Sequence, residues 1–197
     1  MRKGLVVLVV VVAVVVALGA WIAGAYNRLV TLDEQVAAAW SEVENNYQRR
    51  MDLVPNLVET VKGVAGFEKE TYVAVAEARA QAGKIQLSPE LLRDPQAFAA
   101  FEQAQGKLSS ALSRLLVTIE KYPDLKANQS FQDLMTQLEG TENRIAVARK
   151  RFNDAVRAFN TRVRRFPGNI VAGMLGFDAK PYFKAQAGAA EAPKVKF

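Results

Sequence analysis

Six carboxylates, Asp33, Glu34, Glu42, Glu44, Asp52 and Glu59, fall on one predicted helix and are the side chains best placed to do chemistry. A matched pair of carboxylates can divide acid and base roles in hydrolysis. A cluster of them can hold a hard cation. The competing reading is a solvated helix face, and the rest of the composition favours it. There is no His, so the commonest general base and metal ligand are gone, and with them a Ser-His-Asp triad or a Glu-x-x-His di-iron site. There is no Cys, which removes thiolate metal sites, cysteine nucleophiles and disulfides. The glycines are scattered and form no phosphate-binding loop. The expectation is a protein without catalytic residues, cofactor or metal.

The helix that carries those carboxylates is written in its apolar positions. Leu29, Leu32, Val36, Trp40, Val43, Tyr47, Met51, Val54, Val58 and Val61 advance in steps of three or four, the period of an α-helix. This predicts helix 1 over residues 27–62. Pro55 lies inside it, lacks a donor and clashes with the preceding turn, so a kink or short break is expected near Asp52–Asn56. Arg49, Arg50, Asp52, Pro55 and Asn56 are therefore the candidate interaction or kink residues. Either Asp52 and Asn56 satisfy backbone groups that Pro55 leaves free, or the cluster is a partner-binding notch.

Upstream, residues 5–25 carry no charge and follow Arg2 and Lys3. At ~1.5 Å per residue such a run spans ~30 Å, the thickness of a bilayer's hydrocarbon core. A cleavable signal peptide is the alternative, with Ala17-Leu18-Gly19 and Ala23-Gly24-Ala25 as small-residue cleavage patterns. The run's length and the helical periodicity that follows it favour a retained anchor. The flanking cations put residues 1–4 in the cytoplasm and the remainder across the membrane. Ala13, Ala17, Ala20 and Gly24 step by four, three and four, a small-residue stripe on which anchors could pack.

Three further helices are predicted. One covers about 68–82; residues 83–94 form a loop. Asp94-Pro95 starts the next, with Phe98, Phe101, Leu108, Leu112, Leu115 and Ile119 on one face, and Tyr122-Pro123 stops it. Ser130 or Asn128 caps the last, whose stripe includes Phe131, Leu138, Ile145, Phe152 and Phe159, and Pro167-Gly168 ends it. The fold class expected is all-α: an N-terminal transmembrane helix continuing into an antiparallel four-helix bundle of long helices over 26–184. Acidic residues Asp33, Glu34, Glu42 and Glu44 would face basic Arg144, Arg149, Lys150, Arg151, Arg157, Arg162, Arg164 and Arg165 in an up-down-up-down order. Residues 166–183 are apolar after that basic end. They either cap the bundle or lie on lipid, with Arg162, Arg164, Arg165, Phe166, Ile170, Met174 and Phe177 as candidate lipid-facing residues. Residues 185–197 lack periodicity and read as a disordered tail.

Three strings carry a family likeness: Tyr26-Asn-Arg-Leu-Val-Thr-Leu-Asp-Glu-Gln-Val36, Ala39-Trp40-Ser-Glu-Val43, and Gln48-Arg-Arg-Met-Asp-Leu-Val-Pro-Asn-Leu-Val-Glu-Thr-Val-Lys-Gly63. With Ala78-Arg79, Arg165-Phe-Pro-Gly-Asn169, Phe177 and Tyr182-Phe183, the chain closely resembles LemA family proteins. The resemblance implies a bacterial inner- or cell-membrane protein with one anchor and a helical bundle, and it supplies no catalytic residue. A family branch associated with magnetosome membranes implies a role in membrane organisation. The chain departs from the pattern after Gly63, where Val64 and Phe67 replace an aromatic and a His, so no His-dependent role carries over.

The function expected is a membrane-anchored interaction or scaffold protein that self-associates and organises the membrane or its proteins. The alternative is a regulatory adaptor of a membrane protease or sensor. The partners expected are the lipid bilayer, further copies of the chain and other membrane proteins. A net charge of +6 would permit nucleic-acid binding, but export and the lack of a groove-reading motif argue against it; anionic lipid suits the basic surface better.

Overall fold

The computed structural model describes residues 2–64 and 66–184; the tail expected at 185–197 lies outside the described residues. Among the described residues every regular element is helical. Helix α1 runs Arg2–Lys62, α2 Lys69–Gly83, α3 Pro95–Ile119, α4 Pro123–Lys126, α5 Gln129–Arg164 and α6 Gly168–Leu175.

α1 is one unbroken helix of 61 residues with two environments. Its first part, from Leu5 through Leu18, presents Val and Leu on every face and leaves them more than half exposed. It contains a segment long and apolar enough to cross a membrane, none of it buried against the rest of the chain. Burial begins at Ala25 and then follows the expected stripe from Leu29 to Val61. The expected break at Pro55 does not occur; helical structure continues through it.

α5 packs antiparallel along α1, as the pairs Glu42–Arg151 (3.0 Å) and Arg50–Glu142 (2.9 Å) show. α2 folds back on the distal part of α1, and α3 lies against α2. Of residues 83–94, expected to be loop throughout, Gly83 ends α2 and Pro89–Arg93 form a 3-10 turn that buries Leu91 and Leu92. Asp94 caps α3 by accepting from the N–H groups of Gln96 and Ala97. Asn128, not Ser130, caps α5, accepting from Phe131 N–H. The single turn α4 was not anticipated; Pro123 at its first position starts it and Leu125 fixes it to the core.

The core has two parts. The distal part joins α1, α2, α3 and α5 around Val54, Val61, Val75, Leu108 and Leu115. The turn after Gly63 contributes Phe67, which packs on Tyr122 (ring centroids 4.8 Å apart) while Tyr122 donates to Gly66 C=O. The proximal part is aromatic. Trp40 is completely buried and meets Phe98, Phe101, Phe152 and Phe183, with centroids 5.4–6.2 Å away.

α6 turns back at the proximal end and settles Val171 and Ala172 against α1 and α5. Gly176, with φ of +73°, ends it in the left-handed region. Gly168 is equally constrained, since a Cβ there would sit 2.8 Å from the Arg162 carbonyl oxygen.

Candidate functional site

The carboxylates of α1 do not converge. Asp33 approaches Lys180, Glu42 pairs with Arg151, Asp52 accepts from Gln48, and Glu59 pairs with Lys62. Among the described residues no group of three or more potential ligands could hold a metal ion. Glu44 lies beside the buried Trp40 indole, yet Glu44 Oε1 and Trp40 Nε1 are both enclosed without a hydrogen bond. Burial raises the Glu44 carboxyl above its ordinary value of 4.5, and the nearby Glu90 carboxylate pushes it the same way. A raised acid binds its proton more tightly folded than unfolded. Its contribution therefore favours the fold below pH 4.5 and is lost as pH rises through the raised value. Glu44→Gln should raise the melting temperature at pH 7, with the gain shrinking toward pH 4. A gain that grows on acidification would show that the ionised form is the stabilising one.

The proline region is resolved by a residue from another helix. Pro55 has no N–H to give the Met51 carbonyl, its partner one turn earlier. Arg79 Nε on α2 donates to that carbonyl at 3.0 Å. Asp52 and Asn56 are exposed and make no hydrogen bond to a backbone group freed by Pro55; the Asp52 carboxylate accepts from Gln48 Nε2 at 2.9 Å. The expectation that these two side chains serve the proline is thus corrected. Proline frees the carbonyl toward the neighbouring helix, where a long side chain reaches it. Arg79→Ala should cost about 1–2 kcal/mol by stranding that acceptor. In a Pro55→Ala background, where residue 55 regains its N–H, the same change should cost about 1 kcal/mol less. Additive effects in urea titrations would refute the assignment.

Arg49 is exposed, whereas Arg50 is 1% exposed and sits where α1, α3 and α5 meet. Its Nη1 donates to Ser109 Oγ and to Glu142 Oε1, each at 2.9 Å, and its Nη2 donates to Gln105 Oε1. The guanidinium carbon lies 4.9 Å from the centre of the Tyr47 ring. Burial pushes the Tyr47 phenol above its ordinary value. This network floors a cleft of about 1000 Å³ between α2, α3 and α5. The α3 wall is polar, with the small residues Gly106, Ser110 and Ser113 set among longer side chains.

Next to the cleft an extended strap, residues 177–184, returns along α5. Asn160 donates to the Lys180 carbonyl and accepts from the Lys180 N–H, both at 2.8 Å. Asn153 does the same to Phe183, at 3.0 and 2.9 Å. Lys184 donates its N–H to Glu102 at 3.0 Å and accepts from Arg149 at 2.9 Å. Phe183 is buried in the aromatic cluster, with Arg149 stacked over it. Lys180 Nζ lies 2.5 Å from Asp33 and 5.2 Å from the centre of the Phe159 ring.

The residues at the proximal end split between two faces. Ile170 (50% exposed) and Met174 (75%) lie one turn apart on the outward side of α6, and Phe166 (75%), in the turn before it, is exposed as well. Phe177, expected on the same face, turns inward against Tyr26 and Phe159. Arg164 and Arg165 are exposed, while Arg162 is half-buried beneath Gly168. Ala13, Ala17, Ala20 and Gly24 lie along the exposed part of α1.

Sequence reasoning missed Arg79's task, the Arg50 partners and the Asn153, Asn160 and Glu102 clamp on the strap. A signal was present. Gln105 stands between Phe101 and Leu108, and Asn160 beside Phe159, as polar residues at apolar-stripe spacing.

The LemA family pattern matches residues 39–197. The chain is 31% identical over 193 residues to Magnetosome protein MamQ 2 of Paramagnetospirillum magneticum, covering 90% of this chain and 71% of that protein. It is 31% identical over 174 residues to Magnetosome protein MamQ of Magnetospirillum gryphiswaldense, covering 80% and 64%. It is 22% identical over 162 residues to Protein LemA of Metamycoplasma hominis, covering 82% and 70%.

Proposed function

Since the chain belongs to the LemA family, we propose that it is a membrane-anchored, non-catalytic scaffold. On this reading residues 5–25 cross the bilayer from a cytoplasmic N-terminus, and α1, α2, α3 and α5 form an up-down-up-down four-helix bundle on the far side. The observation that carries the reading is at the proximal end. The apolar run of α1 meets the buried stripe at Ala25, and there Ile170 and Met174 of α6 and Phe166 in the turn before it are exposed, beside exposed Arg164 and Arg165. Apolar side chains with cations beside them suit the boundary between anionic headgroups and acyl chains. The relatives that bear the name magnetosome protein favour a role in organising a membrane. Self-association would use the Ala13, Ala17, Ala20 and Gly24 stripe, where backbones could approach closely.

The chain lacks Cys, so single reporters are clean. Met174→Cys and Val117→Cys, each labelled with a polarity-sensitive dye in full-length protein, test lipid contact in vesicles containing anionic lipid. A blue shift at position 174 and none at 117 is expected; equal spectra would remove α6 from the membrane. Mass measurements in detergent across a concentration series test the scaffold. A chain that stays monomeric throughout would replace scaffold with adaptor.

A further inference from the structure

The strap and the cleft are two stretches of one groove. The α5 wall of the strap, Asn160, Asn153 and Arg149, leads on to Ile145 and Glu142 in the cleft. The α3 wall continues from Glu102 through Gln105 and Ser109 to Arg114. In the strapped stretch the groove reads backbone. Lys180, Phe183 and Lys184 each have both their N–H and their C=O satisfied by side chains, a mode that recognises an extended chain whatever its sequence. The open stretch keeps the same kind of wall, alternating amides, hydroxyls and charges of both signs.

We propose that the open cleft is a binding site for an extended peptide, and that its occupant is this chain's own residues 185–197, entering as the direct continuation of the strap. Lys184 already lines the cleft, so the described part of the strap ends at it. The following residues are Ala185-Gln-Ala-Gly-Ala-Ala190, whose small side chains suit a cleft walled by Ser and Gly. The lengths agree as well. α3 rises ~18 Å from Glu102 to Arg114, and six extended residues reach ~20 Å. That register brings Glu191, the first charged residue after Lys184, to the far end, where Arg114 lines the wall. Lys194 and Lys196 would follow beyond it. The occupied site covers the Arg50 network, so any outside peptide must displace the segment first.

Cysteine pairing in the otherwise Cys-free full-length chain tests this. One variant carries Gly188→Cys with Ser110→Cys in the cleft wall. The control carries Gly188→Cys with Val147→Cys, which is exposed on α5 two residues from Arg149 and outside the cleft. Both pairs have similar tether lengths, so undocked residues would join them at similar rates. Docking should make the intrachain Ser110 disulfide form at least ~10-fold faster in a glutathione redox buffer, through its higher effective concentration. Equal rates overturn the proposal. A Ser110 link formed only between two chains also overturns it and makes the occupant a second copy.

Discussion

Trp40→Ala is expected to cost about 4 kcal/mol, the largest single loss in the molecule. The ring is fully buried and touches four other aromatic rings drawn from α3, α5 and the strap. Truncating a large core aromatic removes its transfer energy and leaves a cavity that fixed neighbours fill poorly. Because Phe183 is one of those neighbours, the strap should loosen as well as the core. Thermal or urea denaturation measures the cost, and hydrogen exchange at Lys180, Phe183 and Lys184 reports the strap. A loss below about 1 kcal/mol would mean that the proximal core collapses freely around the gap.

Arg50→Ala is expected to cost about 3 kcal/mol. The substitution leaves the Gln105 side chain, 4% exposed, without its donor and removes a polar group that ties α1 to both α3 and α5. The Coulomb share is the smaller part. Glu142 is 39% exposed, so water can take over its charge once the arginine has gone. Two comparisons separate these contributions. Arg50→Lys should recover little, because an ammonium cannot span three acceptors in one plane. Glu142→Gln should cost less than half as much as Arg50→Ala. If Glu142→Gln proves equal to Arg50→Ala, the ion pair rather than the hydrogen-bond fork is what the buried arginine supplies.

How much of this was legible beforehand differs from element to element. The stripe Leu29 to Val61 was read residue by residue, because a helix that buries one face must repeat its apolar residues every three or four positions. The apolar run before it was equally plain, since its length and lack of charge need no partner to be recognised. Helix starts at Asp94 and stops at Pro123 follow from local backbone chemistry, which depends only on near neighbours. For Pro55 the sequence announced a freed carbonyl but pointed to the wrong neighbours. Asp52 and Asn56 are close in the chain, yet the group that arrives is Arg79, brought there only when α2 folds back on α1. The same holds for Arg50, whose partners lie 55, 59 and 92 residues away. The segment 166–183 posed a choice between cap and lipid surface that one-dimensional pattern could not make. Folded, it does the first with Val171, Ala172 and Phe177 and turns Phe166, Ile170 and Met174 outward. Periodicity and capping are local and therefore written in the sequence. Which polar groups meet in the interior, and where a cleft remains open, depend on how helices of unequal length pack, and only the tertiary structure decides that.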